Sequence, residues 1–150
     1  MSQWKPNATV AAIIERDGRF LMVEEQTSKG LRFNQPAGHL EHGETLEEAA
    51  VRETAEETGW RFTPEQLVGI YMVDRDKTSD ITYLRFAYCG PAEPPQGMPR
   101  LDDGIVAAHW LTYDEIAALQ PRLRSPVILQ CLQDYLAGQR FPLSLVRHQR

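Results

Sequence analysis

The sequence predicts an α/β fold in which a mixed β-sheet lies between helices in an α/β/α sandwich. Three observations predict it. Short β-branched or apolar runs recur at residues 9–14, 67–73, 81–88 and 105–111. Two helix-start signals, Thr followed three residues later by Glu, stand at Thr45/Glu48 and Thr112/Glu115. A third helical segment follows Ser125-Pro126 and has one apolar face. Strands interleaved with helices in this order read as a layered α/β domain.

The elements follow in chain order. Thr9 to Ile14 reads as a buried strand, and Asp17-Gly18 between apolar runs is a hairpin turn that returns through Phe20 to Val23. Gln26 to Arg32 is polar and reads as a loop. Pro36 and Gly38 make residues 33–40 a short extended piece rather than a helix. Thr45 to Thr58 is a helix, with Glu47 and Glu48 favourably placed in its first turn and Gly59 as its stop. Leu67 to Val73 and Ile81 to Tyr88 are strands around a charged loop at residues 74–80. The Pro- and Gly-rich stretch 90–98 is an irregular connection. Ile105 to Leu111 is a strand apolar on both faces, and Thr112 opens a short helix to about Leu119. Ser125 caps the last helix with Pro126 in its first position, and Gly138 ends it after about Leu136.

Composition narrows the function classes. Residues 1–150 are expected to form a single domain, long enough to bury a core without staples. The net charge of −5 argues against binding a nucleic acid polymer, which needs clustered Lys and Arg. It leaves a phosphate substrate open where metal ions supply the positive charge. Cys89 and Cys131 are far apart and sit in apolar surroundings, so they read as small reduced hydrophobes. No apolar run approaches the roughly 20 residues of a membrane span. The N-terminus shows no signal peptide, so the expected location is the cytoplasm.

The residues that carry chemistry lie between Gly38 and Trp60. Glu53, Glu56 and Glu57 fall on one helix. At about 100° per residue they share an arc of about 100°. Unneutralised, they would repel one another, and a hard divalent cation relieves that repulsion with oxygen ligands. A solvated acidic face is the competing reading. Ala49, Ala50 and Ala55 beside the acids and the Pro36-Ala37-Gly38 turn before them argue against it. The residues alone leave both readings open.

The segment resembles the Nudix box: Gly, five residues, Glu, seven residues, Arg-Glu, an apolar residue, any residue, Glu-Glu, any residue, Gly and an apolar residue. Gly38, Glu44, Arg52, Glu53, Glu56, Glu57 and Gly59 match every fixed position, and Trp60 fills the last apolar one. Thr54 departs from the pattern, where an aliphatic residue is usual. The resemblance implies the Nudix fold and a hydrolase of phosphoanhydride bonds that uses Mg²⁺, with Mn²⁺ as a substitute. It implies that Glu53, Glu56 and Glu57 hold the metal with the Gly38 carbonyl, that Glu53 or Glu57 helps activate water, and that Arg52 orients a box carboxylate. Glu44 and Gly59 would be structural.

Further segments are similar to the bacterial Nudix phosphatase subgroup: residues 33–41, Asp76-Lys77-Thr78, Leu84-Arg85-Phe86, Leu123-Arg124-Ser125-Pro126, and Tyr135, Gly138, Arg140, Pro142 and Leu143. The subgroup implies nucleoside tri- and diphosphates or hydroxymethylpyrimidine pyrophosphate as substrates, with release of orthophosphate. The expected partner is therefore a small nucleotide or pyrophosphate, for a monomer or homodimer that binds neither nucleic acid polymer nor membrane. Trp4, Phe33, Tyr71 and Tyr83 are candidates to stack a base, although a core role is favoured for Phe33 and Tyr83. Lys77 and Arg85 are candidates to hold terminal phosphates, and Asp102 or Asp103 to add a metal carboxylate. His39, His42, His109 and His148 are scattered and read as structural or exposed. An ADP-ribose or dinucleotide pyrophosphatase is the alternative enzyme. A non-catalytic nucleotide sensor is the alternative of another class, which the intact set of box acids disfavours.

Overall fold

The computed structural model of the protein describes residues 2–150. In chain order the strands are β1 (Asn7–Ile13), β2 (Glu15–Arg16), β3 (Arg19–Thr27), β4 (Gly30–Asn34) and β5 (Ala37–His39). Helix α1 (Leu46–Thr58) is followed by β6 (Arg61–Phe62), β7 (Gln66–Asp74), β8 (Thr82–Cys89), β9 (Ala92–Glu93) and β10 (Ile105–Leu111). Helices α2 (Tyr113–Ala118) and α3 (Val127–Leu136) complete the fold, with 3₁₀ turns at Gln120–Arg122 and Leu143–Leu145.

One sheet has the order β5-β1-β8-β7, with β1 and β8 parallel and the other pairs antiparallel. A second joins β10, β3, β2 and β4, all antiparallel. The sheets are thus mixed, as the sequence predicts. Side-chain alternation explains the sandwich. Along β1 and the residue after it, Val10, Ala12 and Ile14 join Ala49 and Ala50 of α1 in one core, while Ile13 joins Ile128, Cys131 and Leu132 of α3 in the other. The same alternation holds on β3, where Leu21 faces α1 and Phe20 and Met22 face α3. Helices therefore cover both faces. No helix among the described residues is long and apolar enough to cross a membrane.

Local chemistry accounts for the ends of the elements. Asp17 and Gly18 both have positive φ, 54° and 77°, the two-residue hairpin geometry that Asp-Gly favours. The side chains of Thr45 and Thr112 accept from the N–H groups of Glu48 and Glu115, and both capping boxes are complete. Gly59 ends α1 at φ 79°, and a methyl there would overlap Pro99. Ser125 Oγ accepts from Val127 N–H at 3.3 Å, so it caps the start of α3.

Three sequence expectations need correction. Residues 26–32 are not a loop: β3 runs to Thr27 and pairs with β4 around a short turn, in which Thr27 Oγ1 donates to Gly30 O at 2.7 Å. Their polar composition hid the hairpin. The stretch 90–98 contains β9, which pairs with the equally short β6. Strand β10 is an edge strand with Val106 exposed, so it is not covered on both faces.

Candidate functional site

Helix α1 sets Glu57 and Glu53 against the turn that leads from β4 into β5, and Arg52 links Glu56 to Glu53. The β1–β5 ladder explains what that turn offers. Ala12 N–H donates to Pro36 O at 2.9 Å, and Leu40 N–H donates to Ala8 O at 3.0 Å. Antiparallel alternation then makes Val10 and Gly38 a hydrogen-bonded pair, whereas Ala37, opposite Ala11, turns its N–H and carbonyl away from β1. Ala37 N–H accordingly donates to Glu57 Oε1 at 2.9 Å. The carbonyl that faces α1 is therefore that of Ala37. This corrects the expectation for Gly38, whose carbonyl is tied into the ladder. Gly38 contributes through its missing side chain instead: a methyl there would overlap the Glu53 carboxylate.

The acids differ in environment. Glu57 is only 9% exposed. Burial, together with the charges of Glu53, Glu25 and Asp102, pushes its pKa up to about 9 against the opposing Ala37 hydrogen bond. Burial also raises the Glu53 pKa, with Arg52 pulling the other way. Arg52 is the cation of the cluster. Its Nε and Nη2 grip Glu44 at 3.0 and 2.8 Å, its Nη1 donates to Glu53 and, at 3.1 Å, to Glu56, and Nη2 also reaches His39 O at 3.0 Å. The guanidinium holds the Glu44 carboxyl below its usual range. Glu44 Oε1 also accepts from Glu41 N–H at 2.8 Å, which braces the loop into α1.

One guanidinium shared among Glu41, Glu44, Glu53 and Glu56 leaves the site short of positive charge. Its donors are carboxylates and a backbone carbonyl, with no thiolate or imidazole. The space beside Glu53 exists only because residue 38 lacks a Cβ. Among the described residues no three acidic or imidazole side chains stand close enough together to hold a metal ion, but an all-oxygen donor set is the chemistry that suits a hard divalent cation. Arg52→Lys keeps the charge and loses the planar fork. Turnover is expected to fall about tenfold or more with little change in melting temperature, as when an orienting partner is lost. Kinetics and a thermal melt on one preparation check this; a large drop in melting temperature with activity preserved would make Arg52 purely structural.

The other candidates are spread over the molecule. Asp102 is drawn to the helix: its N–H donates to Glu56 O at 3.0 Å, and its charge raises both Glu53 and Glu57. Phe33 is 6% exposed in the α3-side core, with the Arg122 guanidinium 4.9 Å over its ring. A ring so enclosed leaves no face for a base, so Phe33 is core rather than a stacking platform. Arg85 is 7% exposed and is held by Gln35 and, at 3.2 Å, by Asn34 Oδ1. Its guanidinium is enclosed inside the protein, held through Nη2 while the buried Nε has no hydrogen-bond partner, rather than open to a terminal phosphate. Lys77 is exposed in the β7–β8 loop and makes no ion pair among the described residues.

Tyr71 donates to Asp134 Oδ2 at 2.7 Å, Tyr83 packs against His39, and exposed Trp4 donates to Asp80 O. His109 pairs with Glu24, and His148 lines a cleft of about 340 Å³ beside the N-terminal turn of α1, which only Glu44 among the fixed box residues borders. Both cysteines are free and buried. Thr54 is fully buried, but its hydroxyl donates to Ala50 O at 2.8 Å, so the departure from an aliphatic residue leaves no polar group unsatisfied. Sequence reasoning missed Ala37 and Glu25. Strand register places the first, and the polar end of β3 conceals the second.

The profile of the NUDIX domain family matches residues 4–131. The chain is 38% identical over 144 residues to the phosphatase NudJ of Escherichia coli K12, covering 95% of this chain and 92% of that protein. A NUDIX hydrolase from Nitrosomonas europaea superposes with a TM-score of 0.92 at 46% identity, covering 97% of this chain and 98% of that one. A UDP-X diphosphatase shares the fold at a TM-score of 0.74 and 20% identity, covering 95% of this chain and 68% of that one.

Proposed function

The chain belongs to the Nudix hydrolases, in the bacterial phosphatase subgroup, and from that premise we propose that it hydrolyses nucleoside tri- and diphosphates, or hydroxymethylpyrimidine pyrophosphate, with Mg²⁺ and releases orthophosphate. In this reading residues 1–150 work as one hydrolase domain. The observation that carries the proposal is the placement of Glu57 and Glu53 against the Ala37–Gly38 turn, with Glu56 linked to Glu53 through Arg52 and too little positive charge to balance the three acids.

Glu53, Glu56, Glu57 and the Ala37 carbonyl would hold Mg²⁺, with Asp102 close enough to contribute. The bound ion would neutralise phosphoryl oxygens and acidify a water molecule. Arg52 fixes the directions of Glu53 and Glu56, and Glu44 fixes Arg52. Glu53 or Glu57 takes the proton of the attacking water. Arg85 braces Asn34 and Gln35, and so the strand end that leads into the site. The likeness to the phosphatase NudJ supports attack at the terminal phosphorus.

One experiment tests the reading. The protein is incubated in ¹⁸O-labelled water with a panel of nucleotides and the pyrimidine pyrophosphate, in Mg²⁺, Mn²⁺ or excess chelator. The expected result is stepwise release of labelled orthophosphate, weak base preference and no turnover in chelator. Label confined to a nucleoside monophosphate, with pyrophosphate as co-product, would assign the ADP-ribose or dinucleotide type of cleavage. Full turnover in chelator would overturn the metal, and binding without turnover would leave a sensor.

A further inference from the structure

The positive charge of Arg52 is consumed within the box, and Arg85 is enclosed, so any side-chain cation that meets the substrate's phosphates comes from elsewhere. Arg124 stands in the right place. Leu123 forms a parallel bridge with Phe33 and is buried in the α3-side core, so the next residue points to the opposite face. Arg124 N–H donates to Phe33 O at 2.9 Å, and Ser125 then caps α3, which fixes the backbone on both sides. The Arg124 guanidinium reaches Glu25 Oε1 at 2.7 Å.

Glu25 ties this position to the acids of α1. It lies opposite Ile105, whose N–H donates to Asp102 O at 3.1 Å, and Asp102 is itself bonded to Glu56 O. Opposite Glu25 on β4 stands Arg32, whose Nη1 donates to Leu31 O at 2.9 Å and which forms no ion pair among the described residues. Arg124 has one carboxylate partner and a side chain 49% exposed, whereas Glu25 is 15% exposed. A single partner on a half-exposed guanidinium leaves donors free for a second anion.

We propose that Arg124, with Arg32 beside it, is the subsite that grips the phosphate chain of a nucleoside polyphosphate next to the helix acids, and that Glu25 is the internal anion that occupies Arg124 between turnovers and gives way to the phosphates. The proposal rests on the nucleotide phosphatase reading above. A guanidinium presents two parallel N–H groups to phosphate oxygens, so it orients the chain as well as attracting it.

The test uses the full chain, with Mg²⁺ and a nucleoside triphosphate for turnover and its β,γ-methylene analogue for calorimetric binding. Arg124→Ala is expected to raise KM and the analogue Kd about tenfold or more, with kcat and melting temperature little changed. Arg124→Lys should recover part of the loss. Arg122→Ala should leave both values unchanged, because Arg122 pairs with Glu24 and covers Phe33 on the α3 side. Glu25→Gln should keep KM at or below the wild-type value. Unchanged analogue binding in Arg124→Ala would overturn the subsite, as would an equal rise in KM for Glu25→Gln, which would make the ion pair merely structural. If the wild type binds the analogue through Arg124 but releases other products, the phosphatase reading fails and the subsite stands. A wild type that binds no polyphosphate overturns both.

Discussion

Glu57→Gln is expected to lower turnover at least about a hundredfold while the protein stays folded. The carboxyl is almost wholly buried, and its only backbone donor among the described residues is Ala37 N–H. Glu53, Glu25 and Asp102 all oppose its ionisation, as burial does. A charge kept in such a place needs a counter-charge that the side chains around it do not supply. Gln preserves the shape and still accepts from Ala37 N–H, so packing is retained and the negative charge is lost. The melting temperature in chelator should change little, because burial and the neighbouring acids already keep the metal-free carboxyl protonated near neutral pH. Steady-state kinetics at saturating substrate and Mg²⁺, with a melt of the same preparation, check the prediction. Near-normal turnover would return the helix to the reading of a solvated acidic face.

Gly38→Ala should lose about a hundredfold in turnover with little effect on folding. Residue 38 does not occupy the left-handed region, so alanine meets no backbone strain there. What its methyl meets is the carboxylate of Glu53, the free end of a flexible side chain. The folded chain relieves the overlap by swinging that carboxylate aside. Catalysis has no such freedom, since a displacement of about 1 Å from working geometry can cost about a hundredfold. The same substitution at residue 59 would strain a left-handed position and strike Pro99, so Gly59→Ala should lower the melting temperature instead. Measuring kcat and melting temperature for both variants separates the two roles. Wild-type turnover in Gly38→Ala would remove the close approach of Glu53 from the account.

Both experiments act on residues that could be picked from the chain without coordinates, and the reason is local. The spacing of Glu53, Glu56 and Glu57 sets their shared face through helix periodicity alone. Thr45 with Glu48, Thr112 with Glu115, and Asp17-Gly18 mark element ends through chemistry that spans four residues or fewer, and the structure has them where the pattern predicts. The hairpin of β3 and β4 was hidden because Glu24 and Glu25 break the apolar pattern by which strands are read, and both are held by arginines brought from the far end of the chain.

The arrangement of charge around the acids depends on contacts between distant segments. Arg52 was expected to pair with one carboxylate. It gathers Glu44, Glu53 and Glu56 because the loop before α1 folds back over the helix. Aromatic and basic character alone made Phe33 and Arg85 candidates for substrate. Burial under α3 makes the first core and encloses the second, and burial is a property of the packed layers rather than of either residue.

The sequence by itself determined the helix with its acids, its caps, the mixed α/β architecture and the family, because each depends on residue type at short, fixed spacing. Only the tertiary structure decided that the Ala37 carbonyl rather than that of Gly38 faces α1, that Asp102 and Glu25 crowd Glu57, and that Arg124 stands beside Glu25. Those facts follow from strand register and from which face of a sheet a side chain takes. A shift of one residue would reverse each of them, and only pairing between remote segments sets that register.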